Sequence, residues 1–99
     1  MYAPLVARVV HGDFEWDDAK AESNLAKHGV AFEEAVLAMK DPLSLDFDDL
    51  VEPGNLVTLA ASPSGRILYI ASTVRDDRIR IISARDATSH ERRRYEEAD

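Results

Sequence analysis

Residues 56–85 read LVTLAASPSGRILYIASTVRDDRIRIISAR, and this stretch decides the fold. Leu56 to Ala61 is a strand signal. Ser62-Pro63-Ser64-Gly65 supplies turn residues, with proline and glycine where a hairpin needs them. Ile67 to Val74 is almost entirely apolar or β-branched, the pattern of a central strand covered on both faces. Asp76-Asp77 then turns the chain into Arg78-Ile79-Arg80-Ile81-Ile82-Ser83-Ala84-Arg85. Strict alternation of that last strand puts Ile79, Ile81, Ser83 and Arg85 on one face, and Arg78, Arg80, Ile82 and Ala84 on the other.

Upstream, Leu43 to Phe47 alternates as a further strand and completes a four-strand meander. Phe14-Glu15-Trp16 is a short strand, and Asp17 is placed to cap a helix that runs to about His28. Gly29 supplies the left-handed residue after it. Phe32, Ala35, Val36 and Met39 give a second helix, which Asp41-Pro42 ends. Downstream, Thr88-Ser89-His90-Glu91 is a capping box that opens a third. The prediction is an α+β fold: an antiparallel sheet of four to five strands, two N-terminal helices and one C-terminal helix. All 99 residues form one domain, with residues 1–12 as an arm or extra strand.

The chain has no cysteine and three scattered histidines, which removes disulfides and any metal site readable from spacing. No cofactor is expected. No run reaches the roughly 20 apolar residues of a membrane span, so the reading is a cytoplasmic protein without membrane contact. Charge is unevenly placed within a net of −7. Residues 1–65 carry four Lys/Arg against twelve Asp/Glu, while residues 66–95 carry eight Arg against four Asp/Glu. An anion would therefore be met by the C-terminal third, and a phosphodiester suits guanidinium groups best.

Several motifs fall in order: Phe14-Glu15-Trp16-Asp17, Lys20, Asn24, Lys27-His28-Gly29-Val30, Phe32-Glu33-Glu34-Ala35 and Asp41-Pro42. Arg66, Arg75, Arg80-Ile81-Ile82-Ser83-Ala84-Arg85, Ala87-Thr88, Glu91-Arg92 and Tyr95 follow. Together they resemble the BrnT family of toxins over about residues 13–97. The resemblance implies a RelE-like fold and a ribonuclease toxin of a type II toxin–antitoxin pair. It implies a BrnA-like ribbon-helix-helix antitoxin as partner, RNA as substrate, and operator DNA reached only through the antitoxin. One segment departs: the family tends to carry arginine after the glutamate before the third strand, and here Glu52 is followed by Pro53-Gly54. A catalytically weakened homologue, acting as an antitoxin-binding module in operon autoregulation, is the alternative this raises.

Cleaving RNA without a metal needs a base, an acid and cations for the phosphorane. The catalytic candidates are His28, Glu52, Arg75 and Arg85, and the RNA-binding candidates are Lys20, Asn24, Lys27, Arg78, Arg80 and Arg92. Lys20, Asn24 and Lys27 share about 60° of a helix, with His28 at its edge; a solvated helix face is the plain alternative. Arg85 needs an anionic partner, which is Glu52, Glu91 or a substrate phosphate; a structural Arg–Glu pair is equally consistent. Arg75 either serves the site or pairs with Asp76-Asp77. Glu52 is a base, an orienting group for Arg85, or a solvated loop residue. Most of Arg92-Arg93-Arg94 reads as solvated or antitoxin-facing, and Tyr95 as a core anchor more than a base-stacking group.

Overall fold

The computed structural model describes residues 8–98; the first seven residues of the N-terminal arm and Asp99 lie outside it. Its strands are β1 (Arg8–His11), β2 (Phe14–Asp17), β3 (Leu45–Asp48), β4 (Leu56–Ala61), β5 (Ile67–Arg75) and β6 (Arg78–Asp86). Its helices are α1 (Asp18–His28), α2 (Phe32–Ala38) and α3 (Ser89–Glu97). One six-stranded sheet runs β1-β2-β6-β5-β4-β3. The α+β class stands, but four to five antiparallel strands do not: the sheet has six strands and is mixed. β1 and β2 form a hairpin through Gly12, whose φ of +64° suits glycine. β2 then lies parallel to β6, with Phe14 opposite Ile79 and Glu15 opposite Arg80.

Local chemistry explains the helices. Asp17 accepts the Ala19 N–H at 3.0 Å and starts α1; Gly29, at φ +71°, ends it by donating to the Leu25 carbonyl at 2.8 Å. α2 turns Phe32, Ala35, Val36 and Ala38 inward. They meet Trp16, Leu68, Ile70, Ile81 and Ala84 on one face of the sheet, with Trp16 edge-on to Phe32 at 5.9 Å. Each large side chain of this core contributes about 1.5–3 kcal/mol. α3 packs on the opposite face against β4 and β5. Its Thr88–Glu91 capping box forms in both directions. Tyr95 anchors it by donating to Asp41, whose carboxylate also accepts the N–H groups of Leu43 and Ala61. That bond, with burial and the aspartate's charge, pushes the phenol up to about 12.

Asn24 is an amide built into this frame. Its Nδ2 donates to the carbonyls of Val30 (3.0 Å) and Ala84 (2.8 Å), and its Oδ1 accepts the Ala84 N–H at 3.1 Å. β2 pairs with β6 only at Ile79 and Arg80, so it does not reach Ala84. The side chain of Asn24 takes the place a strand would have there.

The α1–α2 turn is held to β5 by Arg66. It grips Glu34 with two bonds, Nη2 to Oε1 at 2.6 Å and Nε to Oε2 at 2.9 Å, and Nη2 also donates to the Gly29 carbonyl at 2.8 Å. The Arg66 hydrogen bond overrides burial and lowers the Glu34 carboxyl from 4.5 to about 2. A carboxyl lowered on folding adds stability above its unfolded pKa, and that stability is lost as pH falls toward the folded one. Urea midpoints should therefore fall between about pH 5 and pH 2, and Glu34→Gln should flatten that slope. An unchanged slope would remove the role.

Candidate functional site

The decisive geometry is a bulge in β6. Ala71 pairs with Ser83, but the next residue, Ser72, pairs with Ile81, so Ile82 is the extra residue. A bulge resets the alternation of its strand. Tyr69 faces Arg85, Ala71 faces Ser83, Thr73 faces Arg80 and Arg75 faces Arg78 across the β5–β6 ladder. These β5 residues are all odd-numbered, so Arg78, Arg80, Ser83 and Arg85 share one face with Arg75. This overturns the split expected from strict alternation, which placed Arg85 opposite Arg78 and Arg80. The arginines lie on the face that α3 partly covers, away from α2 and the main core.

Arg85 stands at one end of this strip. Its Nη1 and Nη2 grip Glu91 at 2.8 and 3.1 Å, and Nη1 also donates to the Asp86 carbonyl at 3.0 Å. The guanidinium lies over the Tyr69 ring, 3.9 Å from its centroid. Each partner stabilises the charge of the other: the hydrogen bond raises Arg85 above the usual arginine value and lowers Glu91 below the usual carboxylate value, both against burial. Glu91 also accepts the Thr88 N–H at 2.9 Å, so the helix cap fixes the acid that fixes the arginine.

Arg80 stands nearer the other end. It donates to Glu15 at 2.9 Å, and Arg8 reaches the second oxygen of that carboxylate at 3.3 Å. Glu15 is 3% exposed, so the acid is buried with its two cations around it. Arg8, Glu15, Arg75, Asp76 and Arg80 line a cleft of about 280 Å³. Near Arg85, a larger cleft of about 520 Å³ is lined by Phe47, Leu59, Tyr69, His90, Glu91 and Arg94, among others.

The remaining sequence candidates are placed elsewhere. Lys20 and Lys27 are exposed on α1 and His28 is half-buried at its end, along the β6 edge that Asn24 covers. Asn24, at 7% exposure with donor and acceptor engaged on backbone, is taken up by the fold and is unavailable to RNA. Glu52 is exposed in the turn before β4 and is not the partner of Arg85. Arg92 is exposed on α3. Among the described residues no cluster of three His, Cys, Asp or Glu gathers as a metal site, and no helix is long and apolar enough to cross a membrane. Reading the residues alone missed Glu15, Tyr69 and His90. Glu15 and Tyr69 each break an apolar run with one polar group, which is the signal that marks them. His90 was hidden inside the capping box.

A family model for the ribonuclease toxin BrnT of type II toxin–antitoxin systems matches residues 16–91. The chain belongs to the BrnT family. The crystal structure of the Brucella abortus ribonuclease toxin BrnT, solved at 1.1 Å, is similar with a TM-score of 0.62 and 21% identity. The match covers 75% of this chain and 94% of that one, and it bears on the fold. Comparison with curated proteins returns no match. The BrnT match spans the β6 bulge, Arg85 and Glu91; β1 and Arg92 to Arg94 fall outside it. As a toxin of a type II system, a BrnT protein has an antitoxin as its partner.

Proposed function

We propose that this chain is a metal-independent endoribonuclease, neutralised by a ribbon-helix-helix antitoxin of the BrnA kind that also carries it to operator DNA. The observation behind the reading is the bulge at Ile82, which turns Arg85 to the face holding Arg75, Arg78 and Arg80. A guanidinium has five N–H donors. Glu91 and Asp86 engage three of them on Arg85, leaving the Nε–Nη2 edge for a phosphate. Arg75 and Arg78 line the RNA path, and Arg80 is held on it by Glu15. An imidazole suits proton transfer near neutral pH, and His90 lines the cleft beside Glu91. We therefore assign proton transfer to His90 in place of His28 or Glu52. The attack of the 2′-hydroxyl on its own phosphorus leaves a 2′,3′-cyclic phosphate and a free 5′-hydroxyl.

One observation favours the weakened-toxin reading. Where the resemblance expects an arginine side chain, Pro53-Gly54 forms a turn with Gly54 at φ +95°, its carbonyl accepting the Thr73 hydroxyl at 3.1 Å. The purified protein in excess EDTA separates the two readings. Cleavage of RNA to cyclic-phosphate ends is expected, with growth arrest on induced expression. A folded protein that cuts nothing would overturn the nuclease reading and leave the antitoxin-binding one.

A further inference from the structure

The turn before β4 holds two large apolar side chains out in water. Asp49 Oδ1 accepts the N–H groups of Val51 at 2.9 Å and Glu52 at 3.1 Å, and the Asp49 N–H donates to the Asn55 carbonyl at 3.1 Å. The turn is thus fixed by its own hydrogen bonds. Leu50 is 94% exposed and Val51 is 83% exposed. Single exposed apolar residues are ordinary, but these two line the 520 Å³ cleft together with Phe47, Val57, Leu59 and Tyr69. They enlarge an apolar surface left open among the described residues.

We propose that this cleft is the docking site of the antitoxin, and that it takes an apolar segment with an acidic flank on one side and a basic flank on the other. The proposal rests on membership of a type II toxin family, which supplies the partner. The chemistry of the segment comes from the rim. His90 and Arg94 stand on the α3 side, and Asp48 and Asp49 on the turn side. A polyphosphate meets repulsion from those aspartates and an apolar wall on the turn side, so RNA keeps to the α3 edge, at His90 and Arg85, and the turn side is left to a peptide. A peptide face with two or three apolar side chains fills the space, and its flanking charges meet both rims. Glu91 lines the same cleft and holds Arg85. A segment seated there lies against the arginine proposed to bind phosphate, which is how docking silences the toxin.

The test uses the double variant Leu50→Asp/Val51→Asp and the cognate antitoxin, purified from the neighbouring reading frame. Both side chains are outside the core, so the variant should fold. Calorimetric titration should show antitoxin affinity weakened roughly 100-fold, the loss expected for two apolar anchors. RNA cleavage without antitoxin should stay within about twofold of the native chain, and antitoxin should no longer relieve growth arrest. Leu37→Asp, a partly exposed position on α2 across the sheet, should leave affinity unchanged. Native-like antitoxin affinity in the double variant overturns the proposal, as does a loss of RNA binding alone. Equal weakening by Leu37→Asp overturns it too. A native chain that binds antitoxin through Leu50 and Val51 yet cuts no RNA supports the docking site and removes only the nuclease reading.

Discussion

Arg85→Ala should lower RNA cleavage by about 100- to 1,000-fold, the scale of losing one fixed donor to a developing phosphorane charge. The size follows from how Arg85 is held. Glu91 grips two of its nitrogens, the Asp86 carbonyl takes a third bond, and the Tyr69 ring lies against its plane. Little reorganisation remains to be done when charge builds on the phosphate. Arg85→Lys keeps the charge but loses the planar fork, so it should recover only part of the rate. The stability cost should be small, about 1–2 kcal/mol. The pair is partly solvent-exposed, and Glu91 keeps the Thr88 N–H. Single-turnover cleavage and urea melts on the same preparations separate the two effects. Full activity in a folded Arg85→Ala protein would make Arg85 a strut for α3 and nothing more.

Asn24→Leu should cost about 3–5 kcal/mol of folding free energy, and lower Tm by about 15 °C or more. Leucine fills a similar volume, so lost packing is not the reason. The cost comes from three backbone groups: the carbonyls of Val30 and Ala84 and the N–H of Ala84. All three are left buried without a partner. Asn24→Asp keeps the acceptor for Ala84 but sets a buried carboxylate oxygen against two carbonyl oxygens, so it should cost at least as much at neutral pH. Amide exchange at Ala84 should accelerate in step with the loss. A melting temperature within a few degrees of native would show that water satisfies these groups.

What could be read from the chain was local. The end of α1 at Gly29, the capping box of α3 and the limits of β4 are each written in a few adjacent residues. The β6 bulge was not legible, because Ile81-Ile82 satisfies an apolar pattern in either phase and no glycine marks the extra residue. One misplaced isoleucine put Arg85 on the wrong face. Asn24 was hidden for a different reason. An amide at a helical position between two lysines looks like surface, and only the short β2–β6 pairing creates the backbone groups it satisfies. The partner of Arg85 was open among Glu52, Glu91 and a phosphate. The capping box settles it by starting α3 so that its third residue meets the end of β6.

The parallel pairing of β2 with β6 also bears on how the protein comes into being. Glu15 and Arg80 are 65 positions apart in the chain. Contacts of such long range are slow to form, because the loop must close before it is rewarded. During synthesis the meander β3-β4-β5 has local partners and can begin to order early, while β2 has to wait for β6. The arginine face is therefore one of the last surfaces to take shape on a growing chain. The cleft proposed for the antitoxin is walled by α3, which follows β6, so a growing chain completes its cationic face and its docking cleft together, and the partner meets both at once.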